Sequence, residues 1–180
     1  DMHDYPKFGI WPDGYYMAAN RFTVPGGDFN GTYACAFDRD AMLTGDPNAE
    51  MIKFDNSWAG TATYGMLPSD CDGDFPTVGT PNYFCFDTDN NTYWSADRVK
   101  VWAFDVDWVT PGNSTFSELS SLTPSSFNSS FSASAAIDQP GTTQDLHTLA
   151  DRMMFRAQYR KFSDHESIVI SRTVNLGSDR

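Results

Sequence analysis

The stretch Lys7-Phe-Gly-Ile-Trp-Pro-Asp-Gly-Tyr-Tyr-Met-Ala-Ala-Asn-Arg-Phe22 decides the fold. Two runs rich in aromatic and apolar residues, 7–11 and 15–22, flank the tripeptide Pro12-Asp-Gly14. Proline fixes one turn dihedral and glycine accepts a positive φ, so these three residues suit a tight turn. The stretch therefore predicts a β-hairpin.

The rest of the chain repeats this pattern, in which short aromatic and β-branched runs alternate with Gly, Pro, Asp, Asn and Ser. Such a pattern is typical of strands joined by turns. Both alternating faces of residues 99–108 are apolar, which is typical of a central strand buried between layers. One helical turn is expected at 39–43, closed by Gly45. Residues 146–161 fit a helical stripe and a strand alternation, and the alternation favours a strand in their second half. Further strands are predicted at 32–37, 50–54, 82–86, 99–108 and 166–174.

These strands form three sets, one from Tyr5, one across 64–108 and one from Leu146 onward. We therefore expect a single all-β domain over residues 1–180, with about three β-propeller-like blades of antiparallel four-stranded sheets. Because a closed propeller needs at least about four blades, the ring is expected to be incomplete and its sheet edges open to association. A β-sandwich is the alternative. The Ser-rich residues 111–139 are expected to form a long surface loop or an irregular outer strand.

The charge of the chain limits its partners. The 180 residues include 24 acidic and 12 basic ones, which gives a formal net charge of −12. A field of this sign repels nucleic-acid phosphates and anionic lipid. No run of about 18 apolar residues is present to cross a bilayer. We therefore expect neither nucleic-acid binding nor membrane insertion. The first four residues lack the features of a signal peptide, so an exported protein would be a trimmed form.

Four sequons of the form N-x-Ser/Thr predict an extracellular glycoprotein. Cys71 and Cys85 flank a segment rich in Gly and Pro that a disulfide would close, while Cys35 is left over. Three reduced cysteines are the alternative. The sequons begin at Asn30, Asn90, Asn113 and Asn128.

The motif Asp70-Cys-Asp-Gly-Asp74 places three carboxylates, Asp70, Asp72 and Asp74, at alternate positions around a glycine. Calcium takes several oxygen ligands on a loop that turns tightly, so the motif predicts a calcium site. No Glu closes the twelve-residue loop of an EF-hand. The alternative is an Asp/Gly turn capped by its own side chains.

The opening Asp4-Tyr-Pro, followed by Pro12-Asp-Gly-Tyr-Tyr16, is similar to the first blade of five-bladed propeller glycosidases. In those enzymes an Asp at the start of the inner strand serves as general base. Glycoside hydrolysis needs two carboxyl groups across the scissile bond, and the candidates are Asp4 as base and Glu166 as acid. The aromatic residues are a second indication of sugar binding, because their rings can stack on sugar rings; the alternative is that they fill the core. These residues are Trp11, Tyr15, Tyr16, Trp58, Trp94, Trp102 and Trp108.

Longer stretches resemble a family of large secreted proteins of uncharacterised function, found mainly in bacteria and expected to be propellers. The resemblance covers nearly the whole chain and implies export and a propeller fold, but no activity. Members continue past the segment equivalent to 173–175 with strands that complete the ring. The matching stretches include Tyr5-Pro-Lys-Phe-Gly-Ile-Trp-Pro-Asp-Gly-Tyr-Tyr-Met17, Cys35-Ala-Phe-Asp-Arg-Asp-Ala-Met-Leu43, Leu67-Pro-Ser-Asp-Cys-Asp-Gly73 and residues 149–167.

Together these patterns predict an extracellular, non-catalytic binding or structural module. Its partners would be extracellular protein, glycan or further copies of itself in a fibrous or other homo-oligomeric assembly. A glycoside hydrolase acting on extracellular polysaccharide is the alternative.

Overall fold

The computed structural model describes residues 1–56, 63–131 and 135–177. In these ranges the chain is almost entirely β, as the sequence predicts, with one short α-helix. The strands form a four-stranded sheet, a six-stranded sheet and a small two-stranded one.

The first sheet is an antiparallel meander of β1 (Met2–Ile10), β2 (Gly14–Phe22), β3 (Phe29–Asp38) and β4 (Met51–Asn56), in chain order. The predicted hairpin is thus confirmed. The predicted helical turn is also present as α1 (Arg39–Thr44). The Asp38 carboxylate accepts from the Ala41 backbone N–H at 3.0 Å and begins the helix, and Gly45 ends it with φ of 69°.

The second sheet is built from β5 (Leu67–Cys71), β6 (Asn82–Thr88), β7 (Arg98–Asp105), β8 (Thr115–Leu122), β11 (Met153–Lys161) and β12 (Glu166–Arg172). Its order is β12-β11-β5-β6-β7-β8, so β12 and β8 are the edges. Every neighbouring pair is antiparallel except β11 with β5. The small sheet pairs β9 (Ala135–Ile137) with β10 (Leu146–His147).

The two large sheets share an aromatic core. Tyr16 of β2 lies edge to face with Phe104 of β7, with 5.4 Å between ring centroids, and Trp11 lies in the same way on Tyr159 at 4.6 Å. All four side chains are fully buried. Burial of one such side chain contributes about 1.5–3 kcal/mol, so the aromatic-rich runs of the sequence chiefly hold the sheets together.

The closest approach between the sheets lies at Gly9 of β1. A Cβ atom built on Gly9 would lie 2.3 Å from the carbonyl oxygen of Ser69 on β5, so only glycine fits there. Next to this contact the Ile10 backbone N–H donates to Asp70 Oδ1 at 2.9 Å. Strands β1, β5 and β11 are thereby neighbours at the centre of the molecule.

Two features differ from the sequence predictions, and a third agrees with one of the alternatives. Strand β5 is not predicted by the sequence pattern, because Leu67-Pro-Ser-Asp-Cys71 has no apolar alternation. Strand β7 lies inside its sheet, but most of its residues are only half-buried. The Ser-rich tract contains the outer strand β8, whose register with β7 shifts next to Trp102, as the alternative of an irregular outer strand predicts. The later part of the tract docks on the protein, since Ser129 is 2% exposed.

Candidate functional site

A pocket of about 610 Å³, here called the aromatic pocket, opens at the end of the molecule where β1, β5 and β11 begin. Four polar side chains, Asp4, Asn20, Asp151 and Arg152, line it. The remaining wall is apolar and mostly aromatic, with Phe22, Phe29, Tyr64, Tyr93, Trp94 and Leu149.

A β-bulge in β1 presents Asp4 to this pocket. The register of β1 with β2 shifts between Asp4 and Lys7, and Tyr5 has a φ of 55°. Positive φ is rare and costly for a residue with a side chain. Bulges of this kind re-aim side chains at strand ends. Cation–π contacts hold the Tyr5 ring, with Lys7 Nζ 3.3 Å and Arg152 Cζ 5.1 Å from its centroid.

The segment before β11 contains the second strained position. Leu149 has a φ of 48°, and its backbone N–H donates to His147 Nδ1 at 2.9 Å. Two residues later the chain presents Asp151 and Arg152 to the pocket. Tyr5 and Leu149 are the only non-glycine residues with positive φ in the described ranges, and they border the same pocket. Backbone strain that persists in a fold marks functional sites more often than other places.

The polar groups of the pocket are fixed by neighbours. Arg152 Nε donates to the Asp151 carboxylate at 2.8 Å, and the Tyr64 hydroxyl donates to the Asp151 carbonyl at 2.6 Å. Burial lowers the pKa of Arg152, but the hydrogen bond to Asp151 and the attraction of that carboxylate together outweigh burial, so the net pKa is raised and the guanidinium stays charged. Burial also raises the pKa of Tyr64, which remains a neutral hydroxyl. Asn20 Oδ1 accepts from the Gly65 backbone N–H at 2.9 Å.

The aromatic walls are held by ring contacts. Phe29 lies edge to face with Phe22 at 5.7 Å and with Tyr64 at 6.5 Å between centroids. Trp94 is fixed edge to face on Phe86 at 5.3 Å. Tyr93 is 83% exposed at the rim. Rigid aromatic faces beside charged and amide groups form a surface that can stack on apolar ring faces and bind hydroxyl groups.

A second cavity of about 420 Å³, the polar cavity, adjoins the aromatic pocket and shares Tyr93 and Asp151 with it. Its further lining is mostly polar and includes Asn91, Ser129 and His147. The serine segment is held there by Asp89, whose Oδ2 accepts from both the backbone N–H and the hydroxyl of Ser129 at 2.5 Å.

The structure does not bring the candidate catalytic pair together. Asp4 lines the aromatic pocket, whereas Glu166 lines a separate apolar groove of about 450 Å³. This groove, called the apolar groove below, lies between β8 and β12 and includes Tyr83, Val101 and Ile168. Asp151 is the carboxylate that shares the pocket with Asp4, and no local motif marks it in the sequence.

The predicted calcium ligands face a cation of the protein itself. Arg156 binds both Asp70 and Asp72, with 2.7 Å between Nη2 and the Asp72 carboxylate. Asp70 stands on strand β5, and not on an open loop, and its other oxygen accepts from Ile10. Within the described ranges no three His, Cys, Asp or Glu side chains are grouped to hold a metal ion, Asp74 included. Arg156 thus neutralises two of the three predicted ligands, Asp70 and Asp72, and calcium binding at this motif stays a prediction.

The structure also leaves the predicted disulfide between Cys71 and Cys85 unformed, and all three cysteines are free. Cys85 pairs in register with Leu67, so Cys71 lies four residues further along β5. That offset is about 13 Å, whereas the Cα atoms of a disulfide lie within about 7 Å. Burial raises the pKa of Cys85 to about 12 and that of Cys35 to about 11, so both remain thiols.

The sequon asparagines differ in accessibility. Asn90 and Asn113 are exposed, and the Asn113 amide nitrogen donates to the Asp107 carboxylate at 3.2 Å. Asn30 and Asn128 are half-buried, and the Asn128 side chain accepts from the Ser130 backbone N–H at 2.7 Å.

Only part of the aromatic set predicted to stack on sugars reaches the aromatic pocket. Trp94 lines it, while Trp11 and Tyr16 are core residues and Trp108 donates its indole N–H to the Asp13 carbonyl at 3.0 Å. Trp58 lies outside the described residues. Tyr93, Tyr64, Phe22 and Phe29 complete the wall.

No protein-family model, curated protein or solved structure matches this chain. The resemblance to secreted propeller proteins therefore rests on the sequence stretches that suggest it. Among the described helices, none has the length and apolar character needed to cross a membrane.

Proposed function

We propose that the chain is an extracellular, propeller-like binding module whose aromatic pocket holds a neutral glycan without transforming it. The observation that carries this proposal is the lining of the pocket, in which five aromatic side chains surround Asp4, Asn20, Asp151 and Arg152. Sugar rings offer apolar faces to aromatic side chains and hydroxyl groups to carboxylates, amides and guanidinium groups.

The propeller part of the proposal is supported by the strand order. Strands β1–β4 and β5–β8 are each four-stranded antiparallel meanders, as blades are. Strands β1 and β5 meet at Gly9 and Ser69, as the inner strands of neighbouring blades would. Strands β11 and β12 continue the second sheet beyond β5, so they extend that sheet and do not form a separate third blade.

Charge supports the choice of a neutral ligand. The chain has a formal net charge of −12, and the pocket presents two carboxylates against one guanidinium. Uronic acids and sulfated sugars would meet this negative field, whereas neutral sugars pay no such electrostatic cost.

Binding to a panel of neutral oligosaccharides, with xylo-, arabino-, manno- and cello-oligosaccharides as probes, tests the proposal by calorimetry. Tyr93→Ala removes an exposed stacking face, and we expect the dissociation constant of the best probe to rise roughly tenfold, as about 1–1.5 kcal/mol of aromatic contact implies. Phe75→Ala is the matched control, since Phe75 is 51% exposed and lines none of the three cavities. Absence of binding across the panel, or equal losses in both variants, would reject a glycan site.

Glycoside hydrolysis is a second candidate, favoured by the presence of both Asp4 and Asp151 in the pocket. Retaining and inverting mechanisms both require two carboxyl groups beside the scissile bond. Release of reducing ends from the bound probe, abolished in Asp4→Asn, would select hydrolysis over binding alone.

A further inference from the structure

Strand β12 leaves one backbone edge unpaired. It is the outermost strand of the six-stranded sheet, and in the described part of the chain only β11 pairs with it. Its residues are Glu166-Ser-Ile-Val-Ile-Ser-Arg172, and Val169 at the centre is 61% exposed. An open edge of this length presents a row of N–H and C=O groups to which another strand can add.

The other three edges of the two large sheets carry charges inside the strand that discourage such pairing, and edge strand β1 has Asp4 and Lys7. Edge strand β8 has Glu118, which pairs with Lys100 at 2.8 Å. Edge strand β4 carries Lys53 and Asp55 within its six residues. Natural proteins protect edges with charged side chains of this kind. The three central residues of β12 have none, so β12 is the edge best suited to pairing.

We propose that β12 pairs antiparallel with β12 of a second copy of this chain, about a two-fold axis through Val169. The sequence is self-complementary about that residue: Ile168 faces Ile170, Ser167 faces Ser171, and Glu166 faces Arg172. A two-fold interface needs such a self-complementary patch. Parallel pairing in register would instead place Glu beside Glu and Arg beside Arg, which is unfavourable.

The side chains around β12 fit this partner. Ile168 and Ile170 line the apolar groove opposite Leu119 and Leu122, which are 61% and 56% exposed. A second β12 would extend this wall with its own two isoleucines on the same face, because cross-strand neighbours share a face. Arg172 is held in place by Asp87 within its own chain, and Glu166 of the second copy adds a second carboxylate beside it.

Sedimentation equilibrium of the full chain tests the proposal at about 0.15 M salt, where charges are screened beyond about 8 Å. The wild type is expected to show a concentration-dependent dimer. Val169→Lys places two ammonium groups together at the axis, and we expect at least a tenfold weaker association. Leu43→Lys on α1 is the matched control, because Leu43 is also 61% exposed, and it should dimerise as the wild type does. A wild type that stays monomeric, or a Val169→Lys variant that dimerises unchanged, overturns the proposal.

Cross-linking fixes the register. In the proposed pairing, Val169→Cys brings two thiols face to face, and mild oxidation should give a disulfide-linked dimer. Ser171→Cys puts the two thiols four residues out of step, about 13 Å apart, and should cross-link far less. The wild type, whose Cys35 and Cys85 are buried and whose Cys71 is half-buried, is the blank that shows any cross-linking through Cys71. Equal cross-linking of both variants, or none in either, would exclude this register.

Discussion

The aromatic pocket and the apolar groove differ in backbone as much as in side chains. The pocket is bordered by two strained residues, Tyr5 and Leu149, and presents charged groups. The groove lies beside β7, β8 and β12, which contain no positive-φ residue, and among the described residues that line it only Glu166 is charged. Backbone strain and fixed charged groups suit the binding of a small ligand in one orientation, whereas an apolar wall beside an unpaired strand edge suits a second β-strand. We therefore expect the aromatic pocket and the apolar groove to bind different partners.

The loss of the buried Asp87–Arg172 pair, which joins β6 to β12, gives the largest expected effect. Arg172 also donates weakly to the Ala150 carbonyl at 3.5 Å, next to Asp151. Asp87→Ala leaves a guanidinium that is 14% exposed without its carboxylate, which should cost about 3 kcal/mol of unfolding free energy. Chemical denaturation measures this loss, and both glycan binding and dimer formation should weaken with it.

Asp40→Ala is the control for that experiment. Asp40 pairs with Arg39 at 3.6 Å, but its side chain is 87% exposed, so the loss should be below about 0.5 kcal/mol. Equal costs for the two variants would show that burial does not strengthen the Asp87–Arg172 pair.

Backbone strain at the pocket can be measured at Leu149. Because a left-handed conformation costs a residue with a side chain about 1–2 kcal/mol, Leu149→Gly should be more stable than Leu149→Ala by about 1 kcal/mol. At Leu146 in β10, which has no positive φ, the order should reverse by about 0.5–1 kcal/mol. Denaturation of the four variants checks both signs. The same order at both positions would mean that the pocket stores no strain.

The smallest expected effect is that of acid, which should weaken the contact between Asp89 and Ser129 beside the polar cavity and leave the large sheets unchanged. Burial raises the pKa of Asp89, but hydrogen bonds from Ser129 and Asn91 outweigh it and the net pKa is lowered. A lowered native pKa gives stability that is present above the unfolded value of about 3.9 and lost as pH falls below it.

Hydrogen exchange measures this loss as a lower protection factor of the Ser129 amide at pH 3 than at pH 6. The Ala34 amide, in the core of the first sheet, is the reference and should keep its protection. Unchanged protection at Ser129, or equal loss at both amides, would contradict a local role for Asp89.

The parts of the fold that follow from local chemistry are predictable from the sequence. The hairpin across Pro12-Asp-Gly14 and the helical turn closed by Gly45 each depend on neighbouring residues only. Strand β5 does not, because it becomes a strand through its pairing with β6 and β11. The local motif also could not show that Asp70 binds Arg156, because Arg156 lies 86 residues away in sequence.

The site was predictable only in fragments. Asp4 and Trp94 were candidates from the sequence, and both line the pocket. Asp151 and Arg152 were not, because the fold brings them beside Asp4 from the far end of the chain and no spacing rule connects them. Glu166 was assigned to the same site, although β12 carries it to the other opening.

The most direct test of the account is an amide-resolved NMR titration of the protein with the tightest neutral oligosaccharide from the panel. We expect shifts at Gly65, Leu149, Asp151 and Arg152, with no change along β12. Shifts concentrated at Ile168 and Ile170, or no shifts at the pocket amides, would contradict it.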